Sequence, residues 1–167
     1  GNLLLNLIDD IIDIAKIEAG ELKINPQEAY VNKILDELFG TYTEIIRREN
    51  KTDRIELRIS KGIPDPKYVI ISDPYRLKQI LGNLINNAIK FTESGRVEFG
   101  YHSGESKLTF FVKDTGIGLS EENRKVIFER FRQVEESKNR KFGGTGLGLS
   151  ISKHLVQLLG GEISLES

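Results

Sequence analysis

The chain has 167 residues, enough for one well-buried domain of ordinary size with about 20 residues left over for an appendage. Lys and Arg number 24 against 25 Asp and Glu, so no overall field favours nucleic acid or an acidic membrane surface, and an anionic ligand has to be held locally. The lack of Cys excludes disulfide staples, thiolate zinc sites and a cysteine nucleophile, and fits a reducing compartment.

From Leu3 to Ile17 apolar residues fall at Leu4, Leu7, Ile8, Ile11, Ile14 and Ala15, the spacing of an amphipathic helix whose stripe wants a partner. Asn6, Asp9, Asp10 and Asp13 interrupt it as no signal peptide or bilayer span would tolerate, so the piece is expected to be soluble, not membrane-inserted, and cytoplasmic. Gly20 is a C′ residue that stops this helix, and Pro26 closes off continuation. A domain boundary is expected there, with 1–22 as an outlying helix and 23–167 as the main domain.

A second amphipathic helix is predicted from Val31 to Arg48, with Ile34, Leu35, Leu38, Tyr42, Ile45 and Ile46 on one side. The alternation of Ile55 to Ile59 then predicts a strand, and Tyr68 to Ile71 another. Ser72 or Asp73 can cap a third helix, Pro74 to Phe91, with proline in its first turn. Strands at Arg96 to Tyr101 and Lys107 to Lys113 read as a hairpin around His102-Ser103-Gly104. A polar, glycine-rich stretch from Thr115 to Thr145, with a short helical piece from Glu121 to Phe131, precedes a helix from Gly146 to Leu159 and a strand from Glu162. A loop that long inside a compact domain is usually functional or disordered. The order α, β, α, β, β, α, β, β, lid, α, β predicts an α+β fold, a two-layer sandwich with helices on one face of a mixed, mostly antiparallel sheet. Gly1 replaces an initiator Met and Ser167 falls inside the last expected strand, so both ends are expected to be cuts from a longer chain.

Three elements carry chemistry. Gly143, Gly144, Gly146 and Gly148 lie directly before or within the start of a helix, where close-approaching N–H groups and the helix dipole favour an anion; a flexible hinge is the bland alternative. No G-x-x-x-x-G-K-S/T pattern occurs, and no βαβ unit surrounds the glycines. Asp114-Thr115-Gly116-Ile117-Gly118 opens where a strand ends, and a carboxylate there accepts the kind of hydrogen bond an adenine amino group offers, although Asp and Gly are also ordinary turn residues. On the third helix Asn83 and Asn87 are four apart and share a face, with Lys90 a turn on. Amide oxygens can ligate Mg²⁺ and a lysine can meet a phosphate; solvated surface is the bland reading.

These elements occur in the order found in one family. Through DPYRLKQILGNLINNAIKFT (N box), DTGIGL (G1 box), FERFRQ (F box) and GGTGLGLSISKHLVQLLGGEI (G2 box), the sequence resembles the ATPase domain of two-component sensor histidine kinases, within the gyrase, heat-shock chaperone, histidine kinase and MutL superfamily with its Bergerat fold. The resemblance implies ATP and Mg²⁺ as ligands, Asn87 as principal metal ligand with Asn83 nearby, Lys90 as a phosphate contact and Phe91 as part of the adenine wall. It makes Asp114 the adenine-recognising acid, shaped by Gly116 and Gly118, and Gly144, Thr145, Gly146, Leu147 and Gly148 the phosphate side. Phe128 and Phe131 become lid anchors and Arg140 a lid cation for the γ-phosphate. Where gyrase and MutL relatives carry a water-activating glutamate, this chain has Asn83, and an amide is no general base near neutral pH. Phosphoryl transfer to an external nucleophile is therefore expected over hydrolysis.

The N-terminal NLLLNLIDDIIDIAKIEAGEL resembles the second helix of the family's dimerisation and phosphotransfer hairpin. The first helix, with its H-E-x-x-T/N-P acceptor, is not in this sequence, and His102 and His154 read as structural or surface residues. The resemblance implies as partners the phosphoacceptor helix of the same kinase, a response-regulator receiver domain and a second copy in a homodimer. It also implies that the closing strand of the domain is truncated after Ser167.

Overall fold

The computed structural model describes residues 2–114, 121–122, 125 and 147–164, apart from the side chains of 2–4, 6, 7 and 147. The first helix, α1, spans Asn2–Glu18. It stops at Gly20, whose φ of +70° an L side chain rarely adopts. Gly20 N–H donates to the Ile17 carbonyl at 3.1 Å and Glu21 N–H to that of Lys16 at 2.8 Å, satisfying carbonyls that a helix end leaves open.

The chain continues through β1 (Gln27–Tyr30), α2 (Val31–Arg48), β2 (Ile55–Ser60), β3 (Val69–Ser72), α3 (Pro74–Phe91), β4 (Gly95–Ser103), β5 (Leu108–Asp114) and α4 (Leu147–Leu158). Helices α1 to α4 and strands β2 to β5 lie within one or two residues of their predicted bounds. Asp73 is the cap of α3: its Oδ1 accepts from Arg76 N–H at 3.2 Å and its Oδ2 from Asn25 N–H at 2.9 Å, so one carboxylate starts the helix and pins the segment that follows α1. β1 has no alternation to mark it; pairing fixes it, with Tyr30 opposite Val69 of β3 and Ala29 fully buried.

Two expectations are corrected. β4 runs on through Ser103, opposite Leu108, so His102 and Ser103 are strand and the chain reverses over 104–107, where Gly104 N–H bonds the Lys107 carbonyl at 2.9 Å. Ladder hydrogen bonds and stacking of His102 on Phe111, 4.8 Å between centroids, outweigh the turn preference of small polar residues. Residues 161–164 carry no strand, since none of the described strands hydrogen-bonds to them, and the remainder of the strand expected from Glu162 lies outside the described residues. The expected helical piece after Glu121 lies outside the described residues apart from Glu121, Glu122 and Lys125, which are helical.

The fold is α+β. β4 pairs in parallel with β2 and antiparallel with β5, while β1 and β3 form a separate antiparallel pair. Ile55, Val97, Phe99 and Tyr101 from the strands meet Ile34, Leu35 and Leu38 of α2 and Leu77, Leu81, Ile85 and Ile89 of α3 in the main core. The opposite sheet face carries Glu56, which pairs with Arg58 on its own strand and with Arg96 of β4, and Lys113, which pairs with Glu98 of β4. Two-sided alternation of this kind is what holds helices to one face of an antiparallel-rich sheet.

A second, smaller cluster lies on the other side of α3. There Ile80 meets Ile151 and Leu155 of α4, Leu22, and the half-buried Ile14 and Ile17 of α1. Asp13, buried at 7 % exposure, sits within this contact. Arg76 Nη1 donates to Asp13 Oδ2 at 3.1 Å and Gln79 Nε2 to the same oxygen at 2.8 Å. A charge removed from water persists when paired and hydrogen-bonded in this way.

Candidate functional site

The site grows from α3. Its apolar positions Leu77, Leu81, Ile85 and Ile89 are committed to the main core, which at helical periodicity turns Asn83 and Asn87 toward another side. Tyr42 of α2 fastens the helix in place: its hydroxyl donates to the Gly82 carbonyl at 2.8 Å, and burial pushes its pKa up to about 12. Gly82 permits this approach, since a Cβ there would stand 3.2 Å from the Tyr42 oxygen.

The residue after that anchored glycine is Asn83, half-buried, and it reaches α4. Its Nδ2 donates to Ser152 Oγ at 3.1 Å and lies 3.4 Å from the Gly148 carbonyl oxygen. Two of the sequence motifs therefore touch: Asn83 of the N box and Gly148 of the G2 box are brought together from 65 positions apart. Asn87, one turn on, is half-buried and its amide takes no hydrogen bond among the described residues. Lys90 is exposed, with its ammonium 5.6 Å from the Phe91 ring centroid.

The same helix, α3, packs against β5, which ends on Asp114 opposite Val97. Both Asp114 carboxylate oxygens are shut off from solvent without a hydrogen-bond partner among the described residues, and so is the Thr92 hydroxyl just after α3. Orphaned buried acceptors are costly in a folded chain and mark places where something else supplies the donor. A carboxylate there suits an amino group presented edge-on, as in a purine.

Of the expected site residues the structure thus places Asn83, Asn87, Lys90 and Phe91 along one helix, joins Asn83 to Gly148, and sets Asp114 at the end of a strand that packs on that helix. Leu147 begins α4, with its side chain not described. Gly116, Gly118, Phe128, Phe131, Arg140, Gly144, Thr145 and Gly146 lie outside the described residues. Sequence reasoning did not single out Ser152, Thr92, or the Asp13, Arg76 and Gln79 trio. Ser152 had one readable signal, its position four residues after Gly148 and so on the same helix face. Asp13 had another, a charge lying between the apolar residues Ile11 and Ile14 of an amphipathic stripe.

An α+β domain that pairs an orphaned acid at a strand end with a helix bearing two amides defines a class of nucleotide-binding fold. The chain belongs to the histidine kinase-, DNA gyrase B- and HSP90-like ATPase family, whose model matches residues 72–167. All of it aligns at 38 % identity with 22 % of the circadian input-output histidine kinase CikA of Synechococcus elongatus. It is 37 % identical to the signal transduction histidine-protein kinase BarA of Escherichia coli K12, over 99 % of this chain and 18 % of that protein. The chain therefore spans about a fifth of the length of these curated relatives. Among solved structures it is similar to full-length ShkA in complex with AMPPNP, with a TM-score of 0.67 and 30 % identity over 96 % of this chain and 32 % of that one. Among the described residues no helix is long and apolar enough to cross a membrane.

Proposed function

We propose that the chain is the catalytic ATP-binding part of a two-component histidine kinase, with 1–22 the second helix of a dimerisation hairpin and 23–167 the nucleotide-binding domain. It passes the γ-phosphoryl group of ATP to a histidine on that hairpin, for relay to a response-regulator aspartate. The P–O bond to the ADP leaving group breaks as the P–N bond to the imidazole forms. The observation that carries this reading is Asp114, a buried carboxylate with no partner among the described residues, at the end of a strand that packs against α3. The kinase names of the relatives and the AMPPNP complex of ShkA support it.

The residues present fit magnesium. Asn87 offers a hard amide oxygen free of other bonds among the described residues, and Asn83 stands one turn away. Mg²⁺ bound there would neutralise phosphate charge during transfer. Lys90 meets phosphate as a point charge, Phe91 walls the adenine, and Asp114 accepts from its amino group. Gly116 and Gly118 shape that end, Gly144 to Gly148 with Thr145 line the phosphate side, and Phe128, Phe131 and Arg140 belong to the lid. Asn83 leaves the site without a carboxylate to activate water, which favours transfer to an imidazole over hydrolysis. In the intact protein the partners are a second copy, its acceptor helix and a receiver domain, on the cytoplasmic side.

The test supplies a separate two-helix hairpin carrying an acceptor histidine, with γ-labelled ATP and Mg²⁺. Label appearing on that hairpin as acid-labile, alkali-stable phosphohistidine is the expected result. Phosphate released at a comparable rate without hairpin would identify a hydrolase instead, and nucleotide binding with neither product a regulatory module.

A further inference from the structure

Asn83 is held from one side by two groups of α4. Ser152 is fully buried at 0 % exposure, and its Oγ lies 3.1 Å from Asn83 Nδ2. The Gly148 carbonyl oxygen lies 3.4 Å from the same nitrogen. Gly148 and Ser152 are four residues apart, so both project from one face of the helix and meet the amide together.

This pair decides which way the amide faces. A hydroxyl can serve either as donor or as acceptor, and alone would accommodate both amide rotamers. A backbone carbonyl only accepts, so the NH₂ end must face it, and the Ser152 hydroxyl then serves as second acceptor. The opposite end, Oδ1, receives no hydrogen bond among the described residues and stands 3.7 Å from where a Gly148 Cβ would be. The atom of Asn83 left free of hydrogen bonds among the described residues is therefore an oxygen beside the start of α4, and the amide protons are spent inward.

We propose that Ser152 is a positioning residue for the phosphate end of the site. Its hydroxyl holds the Asn83 NH₂ in the inward direction that the Gly148 carbonyl sets, so that Oδ1, an acceptor, faces a metal-bound water and the NH₂ is not presented to phosphate. The inference rests on the nucleotide-and-magnesium reading above. It assigns Asn83 the polarity of its hydrogen bonds, which residue type alone leaves open.

Two readouts test it on the whole chain, with AMPPNP and ADP as probes. In the nucleotide-free protein, Ser152→Ala should accelerate solvent exchange of the Asn83 carboxamide protons, followed by ¹⁵N-edited NMR, by about tenfold, the worth of one hydrogen bond. The same change should reduce the gain in AMPPNP affinity that Mg²⁺ confers by about three- to tenfold and leave ADP affinity without Mg²⁺ as it was. Alanine is a better helix former than serine, so the helix tolerates the change. In a double-mutant cycle, Asn83→Ala with Ser152→Ala should lose no more of the magnesium gain than Asn83→Ala alone. Additive losses, or Asn83 signals and a magnesium gain both unchanged by Ser152→Ala, would overturn the proposal. If the unsubstituted chain shows no magnesium gain, the metal reading itself fails and takes the metal half of this inference with it; the Asn83 signals still decide the contact.

Discussion

The two sides of α3 differ in kind. Toward the sheet it meets a large core with fully buried aromatics, Phe99 and Tyr101, and aliphatics from α2 and the five strands. Toward α1 and α4 it meets a small cluster of aliphatics, edged by an ion pair between Asp13 and Arg76 whose side chains are 10 % and 12 % exposed. Large apolar burial sets a fold, whereas a small cluster closed by a polar bond is one that can open without unfolding the rest. Asn83 bonds to α4 on the small-cluster side, so the site is built where the molecule is least committed.

The largest expected effect breaks the strong side. Phe99→Ala empties a fully buried ring position and should cost about 3–5 kcal/mol, read as a loss of cooperative melting of the whole domain. A shift below about 1 kcal/mol would mean that the sheet core does not carry the fold.

A smaller effect isolates the weak side. Arg76→Ala strands the buried Asp13 carboxylate, and breaking such a pair costs about 3–5 kcal/mol where the group is forced to stay in place. Here α1 can swing away, so the loss is limited to the free energy of docking. The expected outcome is faster proteolysis between Ala19 and Asn25 and faster amide exchange in α1, with unchanged melting of the sheet domain. A matched loss of domain stability would show one inseparable core instead of two.

The smallest effect sharpens the join between α2 and α3. Tyr42→Phe removes one hydrogen bond to Gly82, worth about 1 kcal/mol. Burial raises the Tyr42 pKa from 10.0 to about 12, so the folded chain holds this proton more tightly than the unfolded one. The contribution is whole below pH 10 and is lost as pH rises from 10.0 toward about 12. Denaturant titrations at pH 9 and pH 11.5 should show the wild-type losing more stability than Tyr42→Phe over that interval.

Much of the strong side was legible in the sequence because it rests on local patterns. The period of α2 and α3, the proline after the Asp73 cap, and the alternation from Ile55 to Ile59 need no knowledge of distant neighbours. The spacing of Asn83 and Asn87 likewise put two amides on one helix face. What escaped depends on contacts far apart in the chain. Asp13 and Arg76 are 63 positions apart and Asn83 and Ser152 are 69 apart, and no period announces a partner. The predicted order held a strand between the first two helices but gave it no bounds, since four residues without alternation become a strand only by pairing with β3. The turn at His102 was misplaced because local polarity suggested a break where cross-strand bonds continue the ladder.

The central claim is that Asp114 receives the base of a nucleotide whose phosphates and metal lie toward Asn87. Calorimetry of AMPPNP binding to the chain, with and without Mg²⁺, compared with Asp114→Ala and Asn87→Ala, tests it most directly. The account predicts that Asp114→Ala weakens binding by about 10- to 100-fold, the worth of a charge-assisted hydrogen bond, whether or not Mg²⁺ is present. It predicts that Asn87→Ala abolishes the gain from Mg²⁺ and spares metal-free binding. Equal binding by Asp114→Ala and the unsubstituted chain would contradict it.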